Sequence, residues 1–277
     1  MENQIALVFM VAGISSRFGG KIKQFAKVTD TETLIEYSLN QALKSGFSKI
    51  IFIVGNKTQF PFKEKFGNEY KGIPVEYALQ TYDETKRDKP WGTTDALCSI
   101  RDIINCPFIV CNGDDIYGKN TFRILFNHLK NNKNNDDATA GYKLIEVLPE
   151  KGGVNRGIFN IENNYVKDMN ETFNIEKSNL SATNTNSDDL CSMNIFALHP
   201  RTLKLLDKAL KQFKEQHKED RKKECLLPTE LSNLIKEKKI KMKVYQTNDK
   251  WFGITNPGDE EVIREQLREL NERDNHS

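Results

Sequence analysis

The chain has 277 residues, which suits one large α/β domain or two smaller ones. Its 41 basic and 39 acidic residues leave a net charge of +2, which excludes a strongly basic nucleic-acid wrapper and an acidic tail protein. With 38% hydrophobic and 29% charged residues, the sequence is too apolar for a disordered chain and predicts a substantial core.

The sequence shows neither a hydrophobic segment long enough to span a membrane nor the features of a secretory signal peptide. Its longest apolar run, residues 5–12, falls far short of the about 20 residues that a membrane span needs. The opening residues 1–4 carry no basic head. Neither the 5 cysteines nor the 4 histidines have a metal-ligand spacing, and no Cys-x-x-Cys pair is present. We therefore expect a cytoplasmic protein with reduced thiols.

Short apolar strands alternate with helices in the first half of the chain. Thr33 and Glu36 form a capping-box pattern, so we expect a helix from Thr33 to Ser45. The other elements predicted here are strands at 4–12, 49–54, 75–79 and 108–111 and helices at 93–104 and 121–130. This alternation indicates an α/β fold with a Rossmann-like, mostly parallel mixed sheet and helices on both faces.

The second half of the chain is richer in strands. Predicted here are strands at 138–146, 157–162, 190–198 and 241–246, a helix over 203–213, a closing helix over 259–273 and two polar mobile loops at 130–137 and 176–189. The lysine-rich stretch 201–243 is interpreted as a solvated helix face, with a polyanion-binding surface as the alternative.

The chain shows no composition break that would mark a linker. We therefore expect a single domain, 1–277, made of a half 1–135 and a half 136–277. The second half would hold a strand-rich subregion embedded in the domain.

Two polar loops follow the first and the fourth predicted strands. Ligands of such sheets bind at the carboxyl ends of strands, so residues 12–24 and 112–115 are predicted to form a site. The backbone N–H groups of a glycine-rich turn can cradle phosphate oxygens, and Arg17 and Lys23 add cationic donors. The loop is neither a Walker A loop nor a Gly-x-Gly-x-x-Gly fingerprint.

Motifs along nearly the whole chain carry a resemblance to a known family. They are the loop Ala-Gly-x-x-x-Arg-x-Gly-Gly-x-x-Lys-Gln from Ala12, and the segments 89–97, 107–118, 156–158, 192–194 and 251–255. Together they resemble the nucleotidyltransferases that activate sugar phosphates and related phosphomonoesters. The resemblance implies attack of an acceptor phosphate oxygen on the α-phosphorus of a nucleoside triphosphate, with release of pyrophosphate.

The resemblance assigns roles to the two cations and to two carboxylates. Lys23 would contact the α-phosphate and the attacking phosphate, and Arg17 the β- and γ-phosphates, with Lys21 as the alternative to Arg17. Asp114 would bind Mg²⁺, for which a carboxylate oxygen is a suitable ligand. The C-terminal motif lacks the aspartate that serves the wider family as a second metal ligand, and Asp249 is the nearest substitute.

The resemblance also divides the substrate contacts between the two halves. The nucleotide-binding half, 1–135, would use Ala12, Gly13, Ser15, Ser16, Gln80, Gly92 and Thr93. The acceptor-binding half, 136–277, together with Asp115, would use Gly157, Glu171 and Asn194. Ser15 replaces a usual glycine, and Thr94 and Asp95 replace a small residue and a histidine.

Several functions remain open at the level of sequence. A sugar 1-phosphate is the favoured acceptor, and a CTP-dependent transfer to phosphocholine or another non-sugar phosphomonoester is the alternative. A nucleotide-sensing module without turnover is an alternative of another class. A glycosyltransferase would want an Asp-x-Asp metal motif, which Asp114 and Asp115 do not form. No nucleic-acid partner is expected, and the sequence leaves a homo-oligomer open.

Overall fold

The computed structural model describes residues 4–13, 19, 22–132, 134–254 and 258–275. Its strands are β1 (Ala6–Met10), β2 (Lys49–Val54), β3 (Glu69–Tyr70), β4 (Ile73–Leu79), β5 (Phe108–Asn112), β6 (Asp115–Ile116), β7 (Asp137–Lys143), β8 (Val154–Glu162), β9 (Tyr165–Ile175), β10 (Leu190–Leu198), β11 (Met242–Gln246) and β12 (Phe252–Gly253). Its α-helices are α1 (Leu34–Leu43), α2 (Gln59–Phe66), α3 (Thr93–Cys98), α4 (Lys119–Asn131), α5 (Pro200–Gln216), α6 (Leu227–Lys236) and α7 (Asp259–Asn275).

Most elements that the sequence predicts are present, with bounds shifted by a few residues. The capping box of α1 is confirmed: the Glu36 carboxylate accepts hydrogen bonds from the N–H and the hydroxyl of Thr33. The sequence does not predict α2, α6 or β9. In α2 only Phe62 and Phe66 are buried, and β9 is largely exposed, so neither element shows a clear hydrophobic period.

The prediction of a mostly parallel sheet is wrong for the described strands. The strands β4, β2, β1 and β5 are parallel neighbours, as expected for the first half. Beyond β5, strand β10 runs antiparallel to β5, to β7 and to β8. Antiparallel pairings outnumber parallel ones because β7, β8, β9 and β10 follow one another with no α-helix between them, whereas β11, which comes after α5 and α6, runs parallel to β7.

The second half closes into a small barrel. Its five strands form a ring in the order β10, β7, β11, β9 and β8, which the pairing of β8 with β10 completes. Because β10 pairs on its other edge with β5, the barrel and the parallel strands belong to one sheet. The carboxyl ends of β1 and β5 therefore lie beside the barrel.

Helices cover both faces of the sheet, as predicted. Strand β1 supplies Leu7 and Phe9 to the core beneath α1, α2 and α4, and Ala6 and Val8 to the core beneath α3, α5 and α6. This alternation follows from the period of two in a strand. None of the helices within the described residues is both long enough and apolar enough to cross a membrane.

A buried histidine joins α4 to the barrel. His128 is 8% exposed; its Nε2 lies 2.8 Å from the carbonyl oxygen of Asp136, and its Nδ1 lies 3.1 Å from the hydroxyl of Tyr245. A neutral ring with the hydrogen on Nε2 donates to the carbonyl and accepts from the hydroxyl. Burial lowers the pKa of His128 from 6.5.

We expect His128 to make the fold sensitive to acid. Since its pKa is lowered in the folded state, the unfolded state takes up the proton first as the pH falls below about 6.5. The stability that the neutral ring contributes is therefore present above that pH and is lost as the pH falls through the lowered value. Urea unfolding at pH 7.5 and pH 5 should show a smaller acid loss for His128→Gln than for the unsubstituted protein. An equal loss in both proteins would contradict this assignment.

Candidate active site

The sheet edge brings the two predicted loops together. Parallel pairing of β1 with β5 places Met10 opposite Asn112, so the chain leaves both strands at the same edge. The N–H of Gly113 donates to the carbonyl oxygen of Met10 at 3.0 Å, which fixes the second loop against the first. Asp114 and Asp115 are thereby held at the end of β1, as the sequence predicts.

An ion pair connects Lys23 to Asp114. The lysine begins a short 3-10 helix, Lys23–Phe25, and its Nζ contacts Oδ2 of Asp114 and lies 3.4 Å from the carbonyl oxygen of Ile254. The two side chains are 23% and 24% exposed, so both can be reached by a ligand. The structure thus brings together the two residues that the sequence assigns to a phosphate and to Mg²⁺.

Asp115 lies beneath this pair and is 7% exposed. Its Oδ2 accepts from the side-chain amide of Asn112 at 3.0 Å and lies 3.1 Å from the hydroxyl of Tyr117. Burial raises the pKa of Asp115 to about 7; the charge of Asp114 adds to the rise, and the hydrogen bonds and Lys23 oppose it. A buried carboxyl of this kind supports the loop more readily than it contacts an acceptor.

The glycine-rich loop is described only in part. Ala12 and Gly13 follow β1 and the buried Val11, at the same edge as Asp114. Ser15, Ser16, Arg17 and Lys21 lie outside the described residues, so their assigned roles remain predictions.

Gln80, Gly92 and Thr93 lie together beyond the carboxyl end of β4. The side-chain amide of Gln80 donates to the carbonyl oxygen of Gly92 at 3.1 Å. Gly92 has a φ of 98°, and a Cβ there would lie 2.6 Å from the carbonyl oxygen of Cys225. The Thr93 hydroxyl accepts from the N–H of Leu227 at 2.8 Å. The missing side chain of Gly92 thus makes room for the backbone at Cys225.

The residues assigned to the acceptor share the barrel wall that adjoins this edge. Gly157 on β8 pairs with Glu171 on β9 and with Ser192 on β10. A Cβ on Gly157 would lie 3.8 Å from Oε2 of Glu171, so the carboxylate extends over the glycine. Asn194 has a φ of 59° and lies at the irregularity of β10 between Ser192 and Phe196.

Two buried donors next to these residues receive no role from the sequence. The Arg156 guanidinium lies 5.5 Å from the Trp251 ring and donates to the carbonyl oxygen of Val147 at 3.0 Å. Arg156 Nε and Trp251 Nε1 are buried without a hydrogen-bond partner within the described part of the chain. Burial lowers the pKa of Arg156, and the carboxylates of Asp115 and Glu171 oppose this. The only sequence signal was their presence in the quoted motifs.

Asp249, the substitute proposed for the second metal ligand, contacts the start of α4. Its Oδ1 accepts from the side-chain amide of Asn120 at 2.9 Å, and its Oδ2 accepts from the N–H of Thr121 at 2.7 Å. A Cβ on Gly118, which has a φ of 90°, would lie 2.4 Å from Oδ2. The role that this geometry supports is a cap on the helix N-terminus.

The described residues at the carboxyl ends of β1 and β5 offer few carboxylates that could bind a metal ion. No group of three or more His, Cys, Asp or Glu side chains is arranged around a common metal position in the ranges that the structure describes. Mg²⁺ commonly binds through one or two carboxylates and completes its shell with substrate phosphates and water. The partly exposed carboxylate of Asp114 fits that requirement.

The family to which the chain belongs consists of enzymes that transfer phosphate-containing groups. The profile of the family described as nucleotidyl transferase matches residues 19–254, and the chain belongs to this family. No curated protein matches the chain in sequence.

Solved structures of similar fold are distant in sequence. A Bacillus anthracis protein assigned provisionally as a glucose-1-phosphate thymidylyltransferase aligns with a TM-score of 0.69, 15% identity and 95% of each chain covered. The inositol-1-phosphate CTP transferase from T. maritima aligns at 0.66 and 13%, over 95% of this chain and 96% of its own. A UDP-glucose pyrophosphorylase aligns at 0.66 and 17%, over 96% and 99%. At these identities the likeness concerns the fold.

We expect Asp249→Ala to destabilise the protein by about 1–2 kcal/mol, because the N–H of Thr121 in the first turn of α4 and the side-chain amide of Asn120 would lose their acceptor. Asp249→Asn, which retains one acceptor, should lose less. Urea unfolding measures both changes. A metal-ligand role instead predicts weaker Mg²⁺ binding at unchanged stability, and that result would contradict the helix-cap assignment.

Proposed function

We propose that this nucleotidyltransferase couples a nucleoside triphosphate to a phosphomonoester, with a sugar 1-phosphate as the favoured acceptor. The observation that carries the proposal is the Lys23–Asp114 pair at the carboxyl ends of β1 and β5. It lies beside a barrel wall that presents Gly157 and Glu171. Two anionic substrates placed across this edge would meet at the pair.

The reaction joins an acceptor phosphate oxygen to the α-phosphorus. The bond between that phosphorus and the oxygen bridging to the β-phosphorus breaks, and pyrophosphate leaves with the electron pair. Such a transfer requires positioning and charge neutralisation more than covalent chemistry by the protein. Lys23 supplies a positive charge where both phosphates approach, and Arg17 is assigned to the leaving end.

Asp114 is the residue that would hold Mg²⁺. When bound, the ion would neutralise charge on the triphosphate. In the absence of substrates Asp114 is paired with Lys23, so each group satisfies the other. This pairing leaves neither charge uncompensated before the substrates bind.

The residues of the barrel wall would select between a sugar phosphate and a non-sugar phosphomonoester as the acceptor. A sugar presents several hydroxyl groups, for which the carboxylate of Glu171 is an acceptor of suitable chemistry. Phosphocholine would instead need an environment for a quaternary ammonium group. The exposed carboxylate of Glu171 favours hydroxyl recognition.

The direct test is pyrophosphate release. Each of five triphosphates (UTP, dTTP, GTP, CTP and ATP) is combined with Mg²⁺ and with a sugar 1-phosphate, inositol 1-phosphate or phosphocholine. We expect release only when a phosphomonoester is present, with the highest rate for a sugar 1-phosphate. Nucleotide binding without turnover in every combination would replace the proposal with a nucleotide-sensing role.

Lys23→Ala should lower the rate of pyrophosphate release by about 100-fold or more, because a cation at the reacting phosphates is lost. Its thermal stability should change little, since the ion pair is partly exposed. Lys27→Ala, at an exposed position four residues away, is the matched control and should keep its rate. A Lys23→Ala enzyme as fast as this control would contradict the role of Lys23.

A further inference from the structure

The side-chain amide of Gln80 has its two hydrogens committed within the protein. Gln80 follows β4 directly, and its N–H donates to the carbonyl oxygen of Val54 at 2.8 Å. Its Nε2 donates to the carbonyl oxygen of Gly92 at 3.1 Å and to Oδ2 of Asp95 at 2.8 Å. A primary amide carries two hydrogens on nitrogen, so both are used.

The chemistry of these partners fixes which way the amide points. A carbonyl oxygen and an ionised carboxylate accept hydrogen bonds and donate none. Turning the amide of Gln80 over would set Oε1 against both the carboxylate of Asp95 and the carbonyl of Gly92. Gln80 is 8% exposed, so the unfavourable contacts would be poorly screened.

A lysine from another helix keeps the Asp95 carboxylate in place. Asp95 lies on α3 and is 8% exposed; its Oδ1 lies 2.5 Å from Nζ of Lys214 on α5. The ion pair compensates the buried charge of Asp95. Lys214 belongs to the lysine-rich stretch 201–243, which the sequence analysis interprets as a solvated helix face. In the structure its ammonium group is paired with the carboxylate of Asp95.

An aromatic ring and a buried arginine complete the support of Lys214. Its Nζ lies 5.8 Å from the centre of the Trp91 ring, and the guanidinium carbon of Arg87 lies 3.4 Å from the same ring. Arg87 is 3% exposed and donates to the carbonyl oxygens of Lys89, Asp220 and Lys223. The loop before Gly92 is thus joined by hydrogen bonds to the segment after α5, and Trp91 of this loop lies next to Lys214.

The remaining polar atom of Gln80 is an acceptor. Its Oε1 receives no hydrogen bond from any residue that the structure describes, and it retains contact with solvent. Towards a ligand, Gln80 therefore presents an oxygen that can only accept.

We propose that Asp95 and Lys214 are positioning residues that hold Gln80 as an acceptor and so determine which nucleobases bind. The inference rests on the proposed function and on the expected role of Gln80 in binding the nucleotide, and it takes Oε1 of Gln80 to face the base. The ring nitrogen at the centre of the base-pairing edge carries a hydrogen in uracil, thymine and guanine. In cytosine and adenine the corresponding nitrogen is a bare acceptor and would face the Oε1 lone pairs. With Oε1 at this central nitrogen, triphosphates of uracil, thymine or guanine should bind more tightly than CTP and ATP, whose amino groups could reach Oε1 only if the base shifted along its edge.

The choice between the two groups of bases is testable by substituting the carboxylate. In Asp95→Asn the oxygen of the new amide is drawn to Lys214 and its N–H₂ group faces Gln80. If the Gln80 amide turns over, its oxygen accepts from this N–H₂ group, which offsets the contact of that oxygen with the carbonyl of Gly92, and its own N–H₂ group faces the base. A buried hydrogen-bond mismatch commonly costs about tenfold or more in affinity, so the base preference should shrink or reverse.

The experiment measures the Kd of UTP, dTTP, GTP, CTP and ATP with Mg²⁺ by calorimetry, and kcat/KM wherever turnover occurs. The unsubstituted protein should bind its best triphosphate of the first three at least about tenfold more tightly than CTP and ATP. In Asp95→Asn this ratio should fall to about one or invert. Asp207→Asn, which removes another carboxylate paired with Arg101 and Lys211 near α3, is the matched control and should keep the ratio.

A paired substitution separates positioning from a general structural effect. In Gln80→Glu/Asp95→Asn, residue 80 has no hydrogen to donate and accepts from the new amide at 95, so the original preference should return. A merely structural role of Asp95 would weaken all five nucleotides by the same factor and leave the ratio unchanged. That outcome, or tightest binding of CTP or ATP to the unsubstituted protein, would overturn the inference. Base-dependent binding without pyrophosphate release would instead refute the proposed function and leave the inference standing.

Discussion

The contact between Lys23 and Asp114 depends on one constraint, the parallel pairing of β1 with β5. This pairing brings the carboxyl ends of two strands that are distant in sequence to one edge. The loops that leave these ends must then share the same space, and opposite charges at Lys23 and Asp114 become partners. The C-terminal strand β12 adds to this edge by pairing with β6, which holds Asp115 from the other side.

The barrel of the second half determines where an acceptor meets this edge. Strand β10 belongs to both parts because it pairs with β5 on one side and with β7 and β8 on the other. A rigid connection through a shared strand fixes the distance between Asp114 and the wall around Gly157. Such a shared sheet suits a reaction that requires two anionic substrates to be held in register.

Charged residues that look like ordinary surface in the sequence act inside the structure. Lys214 neutralises Asp95 and thereby sets the orientation of Gln80. Asp249 accepts from the N–H of Thr121 in the first turn of α4. In both cases the partner lies more than one hundred residues away along the chain, so no local pattern could indicate it.

The sequence by itself determined the positions of the strands β1, β2, β4 and β5, the helix that Thr33 caps, and the loop that holds Asp114. Those features depend on local apolar runs and on capping residues, whose period and chemistry are visible without a partner. Only the tertiary structure decided that β7 to β11 close into a barrel and that Gly92 makes room for Cys225. It also decided which atom of Gln80 faces outward. Strand direction, close backbone approach and amide orientation are set by contacts between segments far apart in the chain, and a linear pattern does not encode those contacts.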